Sequence, residues 1–282
     1  MAQVSALTGL AHRCPRAFRS LAFIGLAGVL LTVTALAAQS GRFRPFRGER
    51  PGADYVQPNP QYDGRFVFLR VNYHTAPGGY WYGGLPAWAH GYPLAEQNLL
   101  RILKEVTFID PRLDGVASVG FDDPQLLRYP LAYLIEVGWW DLTDTEAASL
   151  RAYLQKGGFV LVDDFKVRGF MGGGGWDVFE QNMRKVMPEG RFLDLDVSHP
   201  IFHSFFEIGS FDVIPQAYNA GRPVFRALFE DNDPTKRMLM MVNYNTDVSQ
   251  FWEWSARGFR SVDETNEAYK LGVNYLMYAF TH

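Results

Sequence analysis

The 282-residue chain carries 27 Lys and Arg against 30 Asp and Glu, a net charge of -3, with 48% hydrophobic and 15% aromatic residues. That apolar share is ample for a core and excludes a disordered chain. The near balance of charge provides no general attraction to nucleic acid, and no nucleic-acid partner is expected.

In chain order, His12, Arg13, Arg16 and Arg19 precede an uncharged apolar stretch over residues 21–38. It ends in Ala35-Leu36-Ala37, the small-x-small pattern of a signal-peptidase site. Residues 1–37 therefore read as an export signal, which places the protein in the periplasm or outside the cell. The rival reading is an uncleaved inner-membrane anchor, because the apolar stretch is close to the shortest that spans a bilayer. Arg42, Arg44, Arg47 and Arg50 follow it closely and weaken the charge contrast that orients an anchor. The only cysteine, Cys14, lies in this leader, so the mature domain has no disulfide, thiolate nucleophile or thiolate metal ligand. Residues 38–62, rich in Arg, Pro and Gly, read as a tether, and a single domain is expected over 63–282.

An apolar strand over 66–71 leads into a loop broken by Pro77-Gly78-Gly79, Gly83-Gly84 and Pro86. Helix resumes at Pro93, with Leu99, Ile102, Leu103 and Val106 at helical spacing. A second strand is expected over 106–109, a short helical turn after Asp122-Asp123-Pro124, and a buried strand over 131–137. Thr143 with Glu146 forms a capping box, Ala147, Leu150 and Leu154 form an apolar stripe, and Gly157-Gly158 ends that helix. A buried strand over 159–162 follows at once. Trp176, Phe179, Met183 and Val186 mark an amphipathic helix, 192–195 a strand, and His199-Pro200 a short element. Signals over 208–233 are mixed; 238–242 reads as the last strand, and Ala268, Leu271, Tyr275, Leu276 and Ala279 as a terminal helix. Alternating strands and helices point to an α/β domain, a three-layer sandwich around a mainly parallel sheet.

Ligands of such sheets bind beyond the carboxyl ends of the strands. The exits here read Asn72-Tyr73-His74, Glu136-Val137-Gly138-Trp139, Asp163-Asp164 and Asn243-Tyr244-Asn245. Asp163-Asp164 suits metal, sugar or proton chemistry, or else a cap on the next turn. Glu136, set among apolar neighbours, reads as a functional acid or as half of an ion pair with Arg70 or Arg168. These three carboxylates are the catalytic candidates, with His74, Trp139 and Asn243 as ligand-binding candidates. The aromatic crowding over 73–92 and 251–254 suits a thick core or a stacking surface for a ring. His74 and His90 could join an aspartate as a metal site, but their wide spacing forms no metal motif, and neither a metal nor a cofactor is expected. Gly172 to Gly175 lacks the residues of a phosphate loop, and no serine sits in a G-x-S-x-G elbow.

Several stretches, taken in order, match a known pattern: Phe66-Val67-Phe68-Leu69-Arg70, Tyr129-Pro130-Leu131-Ala132-Tyr133-Leu134, Trp140-Asp141-Leu142-Thr143, residues 154–165 from Leu154 through Asp163-Asp164-Phe165, His199-Pro200-Ile201-Phe202 and Leu271-Gly272-Val273-Asn274-Tyr275. Together they resemble the bacterial family called domain of unknown function 4159, over nearly all of the chain after Asp63. The resemblance implies a flavodoxin-like fold of the class I glutamine amidotransferase type, in proteins often exported or membrane-attached. Amidotransferases carry a nucleophilic cysteine in a sharp turn after a central strand; the turns at residues 162–165 and 138–139 contain none. Glutaminase chemistry does not carry over. The reading is an exported envelope protein that binds a small molecule or a protein partner. The alternative is a hydrolase acting on a carbohydrate or cell-wall compound through a carboxylate-rich site, with or without a metal.

Overall fold

A computed structural model describes residues 57–81, 84–165, 175–215, 217–218 and 221–282. Five strands run parallel: β1 (Leu69–Val71), β3 (Ala117–Val119), β4 (Leu131–Ile135), β6 (Phe159–Asp163) and β9 (Met238–Tyr244). Antiparallel β8 (Val224–Phe229) and then β7 (Phe192–Asp194) extend the sheet beyond β9. The order is β3-β1-β4-β6-β9-β8-β7, which makes β6 the middle strand. A separate ribbon pairs β2 (His74–Thr75) with β5 (Trp140–Asp141).

Five helices are described: α1 (Leu94–Val106), α2 (Asp144–Gln155), α3 (Trp176–Val186), α4 (Ser249–Glu253) and α5 (Val262–Thr281). The mixed α/β class and the mostly parallel sheet agree with the sequence reading. Alternation along the strands sorts the core into two clusters. Leu131, Tyr133 and Ile135 of β4 join Leu99 and Leu103 of α1, Trp252 of α4 and Leu271 of α5, whereas Ala132 and Leu134 join Leu150 of α2 and Phe179 of α3. Each such fully buried aliphatic or aromatic side chain contributes about 1.5–3 kcal/mol. Among the described residues, no helix is long and apolar enough to cross a membrane.

Local signals place the elements. The Thr143–Glu146 capping box opens α2 as expected, and a second box, Ser261 with Glu264, opens α5. Asp123 caps the 3-10 turn Pro124–Arg128, and the His199 imidazole accepts from the Ile201 N–H at the start of Pro200–Phe202. The strand expected over 106–109 is absent: Val106 is the last residue of α1, and Phe108 is fully exposed. The helical spacing of Leu99, Ile102 and Leu103 simply runs on through Val106. The edge position beside β1 goes instead to β3, whose Ala117, Ser118 and Val119 are too small and too few to stand out. β8 also escapes sequence reading, because Arg226 interrupts its apolar run. Its guanidinium stacks over the Trp176 ring at 4.2 Å, so the charge breaks the pattern without breaking the packing. Chain contacts begin before Asp63: the Asn59 side chain exchanges two hydrogen bonds with Ser118 and so covers edge strand β3.

Candidate functional site

From β1 the chain passes to β3 on one side of the sheet, then returns to β4, β6 and β9 on the other. The strand order therefore reverses between β1 and β4, the place where open α/β sheets form a crevice at their carboxyl ends. Three exits at this edge turn through left-handed backbone without glycine: Glu136 (φ 50°) after β4, Asp164 (φ 58°) after β6 and Asn245 (φ 60°) after β9. Such turns cost about 1–3 kcal/mol each, less for Asp and Asn, and persist where surrounding contacts impose them. Here the turns are tied together. The Glu136 N–H donates to the Asp164 carbonyl (3.1 Å), and the Asn245 N–H to that of Phe165 (2.8 Å). The Tyr73 hydroxyl donates to the carbonyls of Ile135 (3.1 Å) and Glu136 (2.8 Å).

The loop after β1 brings His90 to the same edge. Arg70 of β1 is fully buried, pairs with Glu96 of α1 (2.5 Å) and lies over the Tyr133 ring (4.9 Å). Its guanidinium also donates to the carbonyls of Trp88 (2.7 Å) and His90 (2.9 Å). A buried cation thus fixes the backbone that carries the imidazole. Burial raises the Glu96 carboxyl, and the Arg70 charge opposes that rise.

At the edge itself, His90 Nδ1 lies 2.9 Å from Asp164 Oδ2 and 3.8 Å from Glu136 Oε1. The Tyr218 hydroxyl donates to the other Asp164 oxygen, and Trp81 packs against the imidazole at 5.7 Å between ring centroids. The His90 side chain is 34% exposed, Glu136 12% and Asp164 1%. Burial alone would lower the imidazole; the Asp164 hydrogen bond and the charges of Asp164, Asp247 and Glu136 overturn this and raise it to about 10. Burial, joined by the Asp164 charge, holds Asp247 well above the usual carboxylate range.

Asp163 turns the other way. Its carboxylate accepts from the Tyr133 hydroxyl (2.9 Å), Asn243 Nδ2 (3.1 Å) and the N–H groups of Val248 (3.3 Å) and Ser249 (3.0 Å). Burial and the neighbouring Asp164 charge raise it to about 7 against those donors. This is a closed interior knot that anchors the turn into α4.

The sequence candidates are therefore divided. Glu136 and Asp164 meet, with His90 as their shared partner. Glu136 does not pair with Arg70, which Glu96 occupies, and Arg168 lies outside the described residues, as do residues 172–174. His74 is exposed on the β2–β5 ribbon, apart from the cluster. Trp139 is buried beneath Gly78 and Gly79, where a Cβ on Gly79 would meet its ring carbon at 2.7 Å. Asn243 lies inside β9 rather than beyond it, wholly buried between Asp163 and the Tyr275 hydroxyl (2.8 Å). Of the crowded aromatics, Tyr73, Trp88, Phe251 and Trp252 are buried and serve the core. Sequence reasoning missed Tyr218, which lies in the stretch of mixed signals, and Asp247, which follows β9 only because that strand runs two residues further than expected.

The family model described as Domain of unknown function (DUF4159) matches residues 68–280. The chain belongs to the DUF4159 family. No curated protein matches it. The DUF4159 match spans every strand among the described residues and all three residues of the cluster. The motifs that carry the resemblance divide as the carboxylates do. Asp164 faces the crevice, whereas Asn274 clamps the backbone of Phe202, Phe205 and Phe206 with four hydrogen bonds of 2.7–3.0 Å. Gly272 lets α5 approach Leu99 and Trp252, each 2.7 Å from where its Cβ would stand.

Proposed function

We propose that this DUF4159 protein is an exported envelope module that binds a small molecule or a protein partner at the strand exits, through His90, Glu136 and Asp164, without glutaminase activity. The observation that carries the reading is the convergence of an imidazole and two carboxylates where the strand order reverses. In this reading the architecture is the flavodoxin-like, three-layer sandwich of the amidotransferases. The left-handed turn at Asp164 after the middle strand supports its correspondence with their nucleophile turn, occupied here by a carboxylate in place of the thiol. Residues 1–37 export the protein or, if retained, hold it at the inner membrane. A calorimetric screen of sugar and peptidoglycan fragments is expected to yield a binder whose affinity falls in Asp164→Asn. Binding that ignores that substitution moves the site elsewhere.

A second reading, hydrolysis of a carbohydrate or cell-wall compound, draws on the short His90–Asp164 contact, an arrangement by which carboxylates orient catalytic imidazoles. Mass analysis of the same fragments after incubation separates the two: turnover lost in His90→Gln supports hydrolysis, and unchanged fragments reject it.

A further inference from the structure

We propose that the strand-exit centre is a divalent-metal site in which His90, Glu136 and Asp164 ligate one first-row ion of the Zn2+ or Mn2+ class. This deepens the binding reading above and rests on it, since the ion would be the anchor for whatever docks at this edge.

The spacing carries the inference. An ion held by nitrogen and oxygen atoms about 2.0–2.2 Å away keeps those atoms about 3–4 Å apart. Of the His90 Nδ1 separations, 3.8 Å to Glu136 falls within that range and 2.9 Å to Asp164 lies at its lower limit. One potential ligand atom from each residue lies within 4.8 Å of the others, and among the described residues no other group of three His, Cys, Asp or Glu converges in this way. The three donors come from separate segments that hydrogen bonds already hold: Arg70 fixes the His90 loop, Tyr73 the Glu136 turn, and Tyr218 the far oxygen of Asp164. Tyr218 thus stands where an outer-shell partner orients a ligating carboxylate.

Charge agrees with spacing. Glu136 and Asp164 set two carboxylates against one imidazole, a pair of negative charges that a dication neutralises once the ring is neutral. The imidazole nitrogen favours Zn2+ over Ca2+ and Mg2+, which prefer oxygen alone, and the two carboxylates also suit Mn2+. On binding, the proton that His90 shares with Asp164 passes to solvent and leaves the ring nitrogen free to ligate. Three protein ligands leave a coordination position for an exogenous oxygen. The chemistry that fits is a small molecule bearing a carboxylate or hydroxyl group, which an acidic edge without an ion would repel or bind weakly.

The test is calorimetric titration of the full chain with ZnCl2, MnCl2 and MgCl2 separately, with no organic ligand present. The expected result is a single site for Zn2+ or Mn2+ that is tighter than for Mg2+ and weakened at least about tenfold in His90→Gln and in Glu136→Gln. Both variants should keep the wild-type circular dichroism. If either fails to fold, NMR of the wild type decides, because Mn2+ should selectively broaden the His90 ring signals. No saturable binding of either ion, binding that survives both substitutions, or His90 signals that Mn2+ leaves sharp would each overturn the proposal. Fragment binding that persists in EDTA and depends on Asp164 would retain the binding reading while rejecting the metal. Metal binding without any fragment binder would do the reverse.

Discussion

Asp163 and Asp164 are neighbours of one residue type at one strand end, yet they belong to opposite worlds. Asp163 faces the interior and is closed by four protein donors, so nothing is left for it to bind. Asp164, in a left-handed turn, is itself buried but shares its oxygens with a tyrosine and with an imidazole that is 34% exposed. The difference teaches that burial and acidity do not by themselves mark a site. What separates a structural carboxylate from an available one is whether its partners form a closed set.

If interior groups carry stability and edge groups carry binding, substitutions should separate the two. The largest loss is expected in Glu96→Gln, which strands the buried Arg70 guanidinium and should cost on the order of 3–5 kcal/mol in urea melts. Asp163→Ala follows at roughly 3 kcal/mol, because it leaves the Tyr133, Asn243, Val248 and Ser249 donors unsatisfied. Asp164→Asn should cost only about 1–2 kcal/mol, since His90 reaches solvent. An equal cost for the two aspartates would break the comparison.

The smallest effect comes from a second His–carboxylate pair, His203 with Glu207 at 2.6 Å, which lies at the surface. The Glu207 hydrogen bond, helped by the Val197 carbonyl, raises the His203 imidazole above its ordinary 6.5. A raised folded-state pKa means that the pair stabilises fully below that ordinary value and loses its contribution as pH rises through the folded-state value. Wild type should therefore melt slightly above Glu207→Gln near about pH 6, by a few tenths of a kcal/mol, and the gap should narrow as pH rises through the raised folded-state value. A gap that widens with pH would refute the assignment.

Much of the scaffold was legible because local physics wrote it. The Thr143–Glu146 box, the stripe of α3 and the apolar runs of β4, β6 and β9 each depend on residues a few positions apart. β3 and β8 were not legible: one is held by its neighbour despite small side chains, and the other carries an arginine whose partner ring lies 50 residues away in sequence. The site shows the same division. The carboxylate exits could be named from strand ends, but His90 was paired in expectation with His74, a residue on the same loop that a short ribbon turns toward solvent.

The sequence alone thus determined the α/β class, the starts of α1, α2 and α3, the absence of a thiol from the domain and the edge of the sheet on which polar residues gather. Only the tertiary structure decided which of two adjacent aspartates is available, that His90 is the imidazole they meet, and that Arg70 belongs to Glu96. Periodicity and capping are set by neighbours along the chain. Which charges pair depends on distances that exist only once the strand order has brought remote segments together.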